Sequence, residues 1–188
     1  MFKKVILASA SPRRKELLKN IFPSFEVVPS NVDEILPEGI NSYDAPQYLS
    51  KLKAFDIAKK YPDALVIGSD TSVIIDNEIL GKPKDEADAF RMLKMLSNNT
   101  HYVVTGCTLV FGDKSLSFSE KTAVKFFPLN DAEIEEYIKT KEPFDKAGAY
   151  GIQAKGSLLV EKIDGDYFNV VGLPIAKLNK YIKLMSST

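Results

Sequence analysis

The sequence predicts an α/β protein with a mixed, twisted sheet flanked by helices, and three observations support this. The chain has 188 residues, of which 45% are hydrophobic and 27% charged, as is usual for a soluble globular protein. In its first half, short apolar runs typical of buried strands alternate with longer amphipathic segments typical of helices. In its second half, strand patterns joined by tight turns predominate, so parallel and antiparallel pairs are expected in one sheet. No repeat or linker interrupts residues 1–188, and we expect a single domain.

A buried strand and a capped helix are predicted at the start of the chain. The apolar run KVILAS predicts the strand. Ser11 and Pro12 predict the start of the helix, because serine is a favoured N-cap and proline fits the first helical position. The segment FEVVPS predicts a second strand, and Pro46 is expected to begin a second helix.

The central segment ALVIGSDTSVIIDNEIL predicts a strand that ends at Asp70, a polar interruption and then a hairpin. Asp76–Asn77 is the expected hairpin turn, because these residues tolerate the left-handed backbone that such turns need. Asp85 is the predicted start of a third helix. This arrangement would place the Asp70 carboxylate at the carboxyl edge of the sheet, where the sites of α/β proteins gather.

The second half of the chain is expected to be rich in strands. Two strands, predicted to be antiparallel, are joined by a turn at Gly112–Asp113. Asn130 with Glu133 has the pattern of a capping box for a fourth helix. The long loop KEPFDKAGAYGIQAKG then leads to a strand, SLLVEKI, and to a last helix that begins at Pro174.

The composition excludes several classes of function. Lys+Arg and Asp+Glu both number 25, which argues against a dedicated nucleic-acid binder. No segment has the apolar length of a membrane span, and the apolar run near the N-terminus is too short for a signal peptide, so we expect a cytoplasmic protein.

The single Cys107 and the single His101 exclude cysteine-rich and multi-histidine metal sites. A metal would need oxygen ligands, which favours Mg²⁺ or Mn²⁺. We interpret His101 and Cys107 as a satisfied histidine and a buried thiol rather than a nucleophilic pair.

The first helix carries an unusual pair of cations. Two of the three arginines in the chain, Arg13 and Arg14, lie in its first turn, and Ser9 precedes them. A helix start attracts anions, and the planar guanidinium group matches two phosphate oxygens at once. We therefore predict an anion site here, most simply for phosphate. The alternative is a basic first turn that is only solvated.

Several other residues have more than one interpretation. Asp70 could bind a metal, take a proton from water or cap a turn with Thr71. A hairpin could bring Lys82 close to Asp70. Glu34 is a candidate metal ligand or a surface residue, and Lys53 cannot be told from a solvated lysine by sequence.

The long loop contains Gln153, whose amide suggests base recognition. A glutamine side chain offers one acceptor oxygen and two donor hydrogens in a plane. This set suits the imide edge of uracil or thymine, where an N–H lies between carbonyl oxygens. A glutamate would offer acceptors only and would suit guanine better.

Five segments in order, LASASPRRKELL, SDT, LGKP, EPFDKAGAYGIQ and GDYFNVVGLP, resemble the Maf family of nucleotide pyrophosphatases nearly end to end. The resemblance implies hydrolysis of a nucleoside triphosphate to the monophosphate and pyrophosphate with a divalent cation. It also implies two lobes around a cleft, a fold similar to the inosine triphosphatase type, and a homodimer. The implied biological roles are nucleotide pool cleansing and cell division arrest.

The resemblance also implies roles for individual residues. Asp70 would accept the proton of the attacking water and bind the metal together with Glu34. The residues expected to line the triphosphate are Ser9, Arg13, Arg14, Lys53 and Lys82. Arg13, Thr71 and Gln153 match the subgroup that takes dTTP and UTP. Ala154 departs from the glycine usual after this glutamine.

Two alternatives to this function remain at the level of sequence. One is a regulator of septum formation that binds a nucleotide or a partner without turning it over. The other is a triphosphatase or phosphatase that releases orthophosphate, because the residues alone do not choose the α- over the γ-phosphorus.

Overall fold

A computed structural model describes residues 2–187 and confirms the predicted α/β class. Its strands form one mixed sheet in the order β2-β1-β3-β5-β6-β7, with β4 paired to β3. β1 pairs parallel with β2 and β3, whereas the β3–β4 and β6–β7 pairs are antiparallel. The strands are β1 (Val5–Leu7), β2 (Glu26–Val27), β3 (Leu65–Ile75), β4 (Glu78–Leu80), β5 (Thr100–Phe111), β6 (Lys114–Phe126) and β7 (Val160–Asp164).

Six α-helices accompany the sheet within residues 2–187. They are α1 (Pro12–Leu18), α2 (Ala45–Ala58), α3 (Glu86–Leu96), α4 (Asp131–Lys139), α5 (Tyr167–Val171) and α6 (Ile175–Ser187). The predicted caps are confirmed: the side chains of Ser11 and Asp85 accept from backbone N–H groups of α1 and α3. Asn130 and Glu133 form the predicted capping box of α4. No helix in the described part of the chain is long and apolar enough to cross a membrane.

The chain divides into two compact units. The first unit comprises the chain up to Asp70, Thr105–Glu120 and the chain from Gly172 onward. In its core, apolar residues of β1 and β3, among them Ile6 and Val66, pack with Ile57 of α2. The predicted single domain over residues 1–188 stays a prediction, and its end residues, Met1 and Thr188, lie outside the described part.

The second unit comprises Thr71–Val104 and Lys121–Val171. Its core contains buried residues of β3, α3 and α4, with Phe126 of β6 among the largest. Ala149 and Tyr150 of the predicted loop also lie in this core. The loop is therefore part of the packed structure.

One prediction about the sheet was wrong. β3 does not end at Asp70 but continues without interruption through Thr71 to Ile75. Ser69, Asp70 and Ser72 look like a polar break in the sequence, yet all three are buried within the strand. Asp70 therefore does not cap a turn, and that interpretation is excluded.

Smaller differences concern segments where local signals are weak. The predicted second strand is only two residues long in β2, and α2 begins one residue before Pro46. The long loop contains three short 3-10 segments, Glu142–Asp145, Ala147–Ala149 and Ala154–Leu159. The short helix α5 was not predicted, because five residues are too few for a clear apolar period.

Candidate active site

In the first unit, Lys53 lies between two carboxylates. Its Nζ atom is 2.7 Å from Oδ1 of Asp70 and 2.9 Å from Oε1 of Glu34. The side chains of Lys53 and Asp70 are only 13% and 12% exposed, whereas that of Glu34 is 53% exposed. Lys53 is therefore not a solvated surface lysine, and three predicted site residues meet at one point.

Close packing between α2 and β3 brings Lys53 to Asp70. At Gly68 of β3, an added Cβ would overlap the carbonyl oxygen of Ser50 and lie 2.8 Å from Cβ of Ala54. Only glycine lets the helix approach the strand this closely. Gly68 and Asp70 share one face of the strand, because side chains alternate with a period of two. The same approach therefore sets Lys53, the neighbour of Ala54, beside Asp70.

The loop that carries Glu34 is attached to the same helix. Oγ of Ser30 donates to Oδ2 of Asp56 at 2.8 Å, and the backbone N–H of Val32 donates to Oγ of Ser30 at 3.2 Å. The hydrogen bond from Ser30 is the main reason why the pKa of Asp56 is lowered. Asp56 lies one turn beyond Lys53 on α2. Sequence reasoning missed both anchors, because no local pattern links residues 26 positions apart.

Three residues of the predicted anion site, Ser9, Arg13 and Arg14, also lie in the first unit. Nη1 of Arg14 donates to Oγ of Ser9 at 3.0 Å, and Nε of Arg14 donates to the carbonyl oxygen of Gly172 at 2.9 Å. Burial lowers the pKa of Arg14, and the nearby negative charges of Asp70 and Glu34 oppose that change. Arg14 is thus held against the segment that follows β1 and the segment that precedes α6, so it is not the merely solvated cation of the alternative interpretation.

Arg13 is half-buried in the same first turn of α1. The turn has no acidic residue, and Ser11 caps it by accepting from the backbone N–H of Arg14. A capped helix start with two arginines is positively charged, which favours an anion.

Three predicted site residues, Thr71, Lys82 and Gln153, belong to the second unit. The predicted hairpin is present, with Val73 paired to Leu80 and positive φ angles of 49° and 65° at its two turn residues, Asp76 and Asn77. Its register directs the chain after β4 back along β3 toward Thr71. Lys82 is exposed there, and its predicted proximity to Asp70 stays a prediction.

Gln153 is exposed, and its side chain makes no hydrogen bond within the described residues. It occupies the N-cap position of the segment Ala154–Leu159 but does not cap it. The next residue, Ala154, has a φ of +50°, a left-handed conformation that glycine adopts without strain. The alanine that departs from the usual family pattern therefore lies where glycine would fit better.

Two residues that sequence reasoning missed hold the backbone around Gln153. Oε1 and Oε2 of Glu142 accept from the N–H groups of Lys155 and Gly156 at 3.2 and 3.3 Å. The hydroxyl of Tyr137 accepts from the N–H of Gly151 at 3.3 Å. The only sequence signal was that Glu142 begins the segment EPFDKAGAYGIQ, whose spacing does not reveal these contacts.

His101 and Cys107 do not form a catalytic pair. Nε2 of His101 lies 2.7 Å from the hydroxyl of Tyr150, and burial lowers the pKa of this fully buried histidine to about 3. Burial raises the pKa of the Cys107 thiol to about 12, so it is not a thiolate at neutral pH. The interpretation as a buried thiol is confirmed. The interpretation as a satisfied histidine is correct only for Nε2, because the buried Nδ1 of His101 has no hydrogen-bond partner within the described residues.

The carboxylates of Asp70 and Glu34 suit a shared divalent cation. Both lie within 3 Å of the same Lys53 ammonium group, so a small positive ion can be shared between them. Residues 2–187 contain no cluster of three or more histidine, cysteine or acidic side chains that could enclose a metal alone. Mg²⁺ commonly binds to one or two carboxylates together with phosphate oxygens of its substrate, and this donor set fits that pattern.

The family is decided by comparison with known proteins. A family model described as Maf-like protein matches residues 4–185. The chain belongs to the Maf family. A dTTP/UTP pyrophosphatase of Thermosipho africanus is 58% identical over 175 residues, which cover 93% of this chain and 90% of the relative. A dTTP/UTP pyrophosphatase of Bacillus velezensis is 48% identical, with 97% of each chain covered.

The fold of this Maf protein is also found in a more distant solved structure. The Ham1 protein of Staphylococcus aureus superposes with a TM-score of 0.56 over 96% of this chain and 98% of its own, at 16% identity. The predicted similarity to the inosine triphosphatase type of fold, to which Ham1 belongs, is thereby confirmed.

Proposed function

We propose that this protein hydrolyses dTTP and UTP to the nucleoside monophosphate and pyrophosphate. The observation that carries the proposal is the cluster of Asp70, Lys53 and Glu34 in a chain of the Maf family. The names of relatives that are 48% to 58% identical over most of the chain support the substrates. Phosphoryl transfer needs positioned charges more than covalent chemistry, and the first unit supplies both signs of charge.

Asp70 is the proposed acceptor of a proton from the attacking water. Lys53 binds this carboxylate through Oδ1, which leaves Oδ2 for the water. The side chain of Asp70 is mostly buried within β3, so the strand fixes its position. A general base needs this kind of fixed geometry before it needs a particular pKa.

The cations of the site would neutralise the triphosphate. The residues proposed to line it are Ser9, Arg13, Arg14, Lys53 and Lys82. Arg14 fixes Ser9 directly, so the hydroxyl and the guanidinium group are placed together before substrate binds. Fixed cations stabilise the charge that develops on the leaving pyrophosphate without reorganising during the reaction.

A divalent cation, Mg²⁺ or Mn²⁺, would be held by Glu34 and Asp70. When bound, it supplies charge neutralisation and polarises the α-phosphate. Because Lys53 contacts both carboxylates, it keeps them close together in the absence of that ion.

Gln153 is the proposed base-recognition residue, with Thr71 and Arg13 as further determinants of the pyrimidine preference. Its amide is exposed and makes no hydrogen bond within the described residues, so it can pair with the imide edge of uracil or thymine. We further propose that the protein acts in the cytoplasm as a homodimer, as the family resemblance implies. Light scattering on the purified protein measures the oligomeric state.

The decisive experiment is a product assay on the purified protein with Mg²⁺ or Mn²⁺ and a panel of nucleoside triphosphates. Pyrophosphate and orthophosphate are counted separately. We expect pyrophosphate from UTP and dTTP, much less from ATP and GTP, and none from any nucleotide after chelation of the metal. Orthophosphate as the first product would contradict attack at the α-phosphorus. No product from any nucleotide would make the anion site a binding site and favour a regulatory function.

A further inference from the structure

The segment around Gln153 is a small closed loop. At Gly156, an added Cβ would overlap the carbonyl oxygen of Gly151 and lie 2.7 Å from the hydroxyl of Tyr137. The backbones of the two glycines therefore lie in contact and close a loop. Gln153 is one of the residues of this loop. Glycine is required at Gly156 for this close approach.

Glu142 fixes one side of this loop through both of its oxygens. They accept from two successive backbone N–H groups, those of Lys155 and Gly156. These groups follow Gln153 at the start of a short helical segment, where N–H groups lack partners in the helix itself. An N-cap side chain ordinarily satisfies them. Here Glu142 accepts from these N–H groups instead. The side-chain amide of Gln153, at the N-cap position, makes no hydrogen bond to the helical segment that follows it.

Tyr137 fixes the other side of the loop. Its hydroxyl oxygen accepts from the backbone N–H of Gly151 at 3.3 Å. Burial raises the pKa of Tyr137 to about 12, which keeps the hydroxyl protonated at neutral pH. Tyr137 is buried in α4, so the loop is attached to a rigid helix.

We propose that Glu142, supported by Tyr137, is a positioning residue for base recognition: it holds the backbone on both sides of Gln153 so that the amide of Gln153 meets the base. This inference rests on the proposed function, because it assumes that Gln153 reads uracil or thymine. Glu142 itself need not contact the nucleotide.

The experiment measures kcat/KM for UTP and for ATP with the full-length chain and its variants. Glu142→Ala should lower kcat/KM for UTP by about tenfold, mainly through KM, since charge-assisted hydrogen bonds of this size are lost. Its kcat/KM for ATP should stay within about twofold, so the preference for UTP falls. Glu142→Gln retains one acceptor oxygen and should lie between wild type and Glu142→Ala. Glu86→Gln is the matched control, because exposed Glu86 pairs with Lys141, the neighbour of Glu142, and should leave both values unchanged.

A double-mutant cycle separates positioning from general loss of structure. In a Gln153→Ala background, Glu142→Ala should change the UTP/ATP ratio by less than about twofold, because the group that it positions is already gone. If Glu142→Ala does not fold, Tyr137→Phe removes only the hydroxyl and should lower the ratio in the same direction by about twofold to threefold.

Three results would overturn the proposal. Equal losses for UTP and ATP would make Glu142 a structural residue. An undiminished effect in the Gln153→Ala background would show that it acts on something other than Gln153. If the wild-type enzyme shows no preference for UTP over ATP, the proposed base preference itself is excluded. The wild-type assay gives this result before any variant is made, so it is distinct from a failure of the role of Glu142.

Discussion

The two units prepare their candidate residues for a ligand in different ways. In the first unit, the ionised side chains have partners: Lys53 pairs with the carboxylates of Asp70 and Glu34, and Arg14 donates to the neutral hydroxyl of Ser9. In the second unit, the candidate side chain of Gln153 makes no hydrogen bond within the described residues, while Glu142 holds the adjacent backbone.

Charge explains the difference. A half-buried ion without a partner costs several kcal/mol, so charged groups need mutual pairing before substrate arrives. A neutral amide in contact with water has no such cost. In the first unit, side chains hold one another in place, which suits the chemistry common to all nucleoside triphosphates. In the second unit, only the backbone is held, which suits the recognition of one base by Gln153.

The strongest test of this comparison is Asp70→Asn. The variant keeps the shape of the side chain but removes the negative charge and most of its basicity, so we expect turnover to fall by about 10²- to 10⁴-fold. The loss should be equal for UTP, dTTP and ATP, because the first unit serves the phosphates and not the base. Pyrophosphate release gives the rates. Asp88→Asn, at a half-buried position of α3 where Asp88 pairs with Arg91, is a control expected to be fully active. Turnover near that of wild type would exclude Asp70 as the base.

A second test separates the two neighbouring arginines. Arg14→Lys cannot keep the hydrogen bonds to both Ser9 and the Gly172 carbonyl, so it should lower the free energy of unfolding by about 1–3 kcal/mol as well as the activity. Arg13→Lys keeps the charge but loses the planar fork. It should lower kcat/KM by about tenfold with little change in stability. Thermal unfolding and steady-state kinetics on both variants measure these effects. An unchanged kcat/KM for Arg13→Lys would show that the planar guanidinium group of Arg13 is not needed to bind phosphate.

A third test addresses the second unit alone. Gln153→Glu replaces the donor edge of the amide with a second acceptor, so the imide edge loses one hydrogen bond and meets a negative charge. We expect kcat/KM for UTP and dTTP to fall by about tenfold or more, with values for ATP nearly unchanged. Gln153→Ala serves as the control for simple loss of the side chain. Equal use of UTP by wild type and Gln153→Glu would exclude Gln153 from base recognition.

Local signals predicted the parts of the fold that local physics determines. The N-caps at Ser11, Asp85 and Asn130 and the turn at Asp76–Asn77 depend on residues a few positions apart, and the structure has them as predicted. The course of β3 through Asp70 was mispredicted, because buried polar residues in a strand resemble a loop until their partners are known.

The site was predictable only where side-chain chemistry is distinctive. Paired arginines near a helix start and a glutamine in a glycine-rich loop pointed to an anion and to a base. The contact between Lys53 and Asp70 depends on how closely α2 approaches Gly68, which no spacing reveals. The anchors Ser30, Asp56 and Glu142 bind partners across loops, so only the folded chain shows what they hold.

The smallest expected effect is that of Ala154→Gly, and it tests whether backbone strain beside Gln153 matters. Ala154 has a φ of +50°, which costs an alanine about 1 kcal/mol relative to glycine. About half of this gain in stability is lost, because glycine also increases the conformational entropy of the unfolded chain. The variant should therefore melt about 1–2 °C higher, as measured by calorimetry.

Ala149→Gly is the matched control, because Ala149 has a similar φ of +58° but is fully buried in the core of the second unit. Removing its buried methyl group costs about 0.8 kcal/mol, which offsets the relief of strain, so no gain in melting temperature is expected. If Ala154→Gly is more stable and keeps its preference for UTP, the backbone hydrogen bonds accepted by Glu142 and Tyr137 are sufficient to position Gln153. A more stable variant with a weakened preference would mean that the strained alanine itself helps to fix the loop, and backbone stiffness at Ala154 would then join Glu142 as a determinant of base choice.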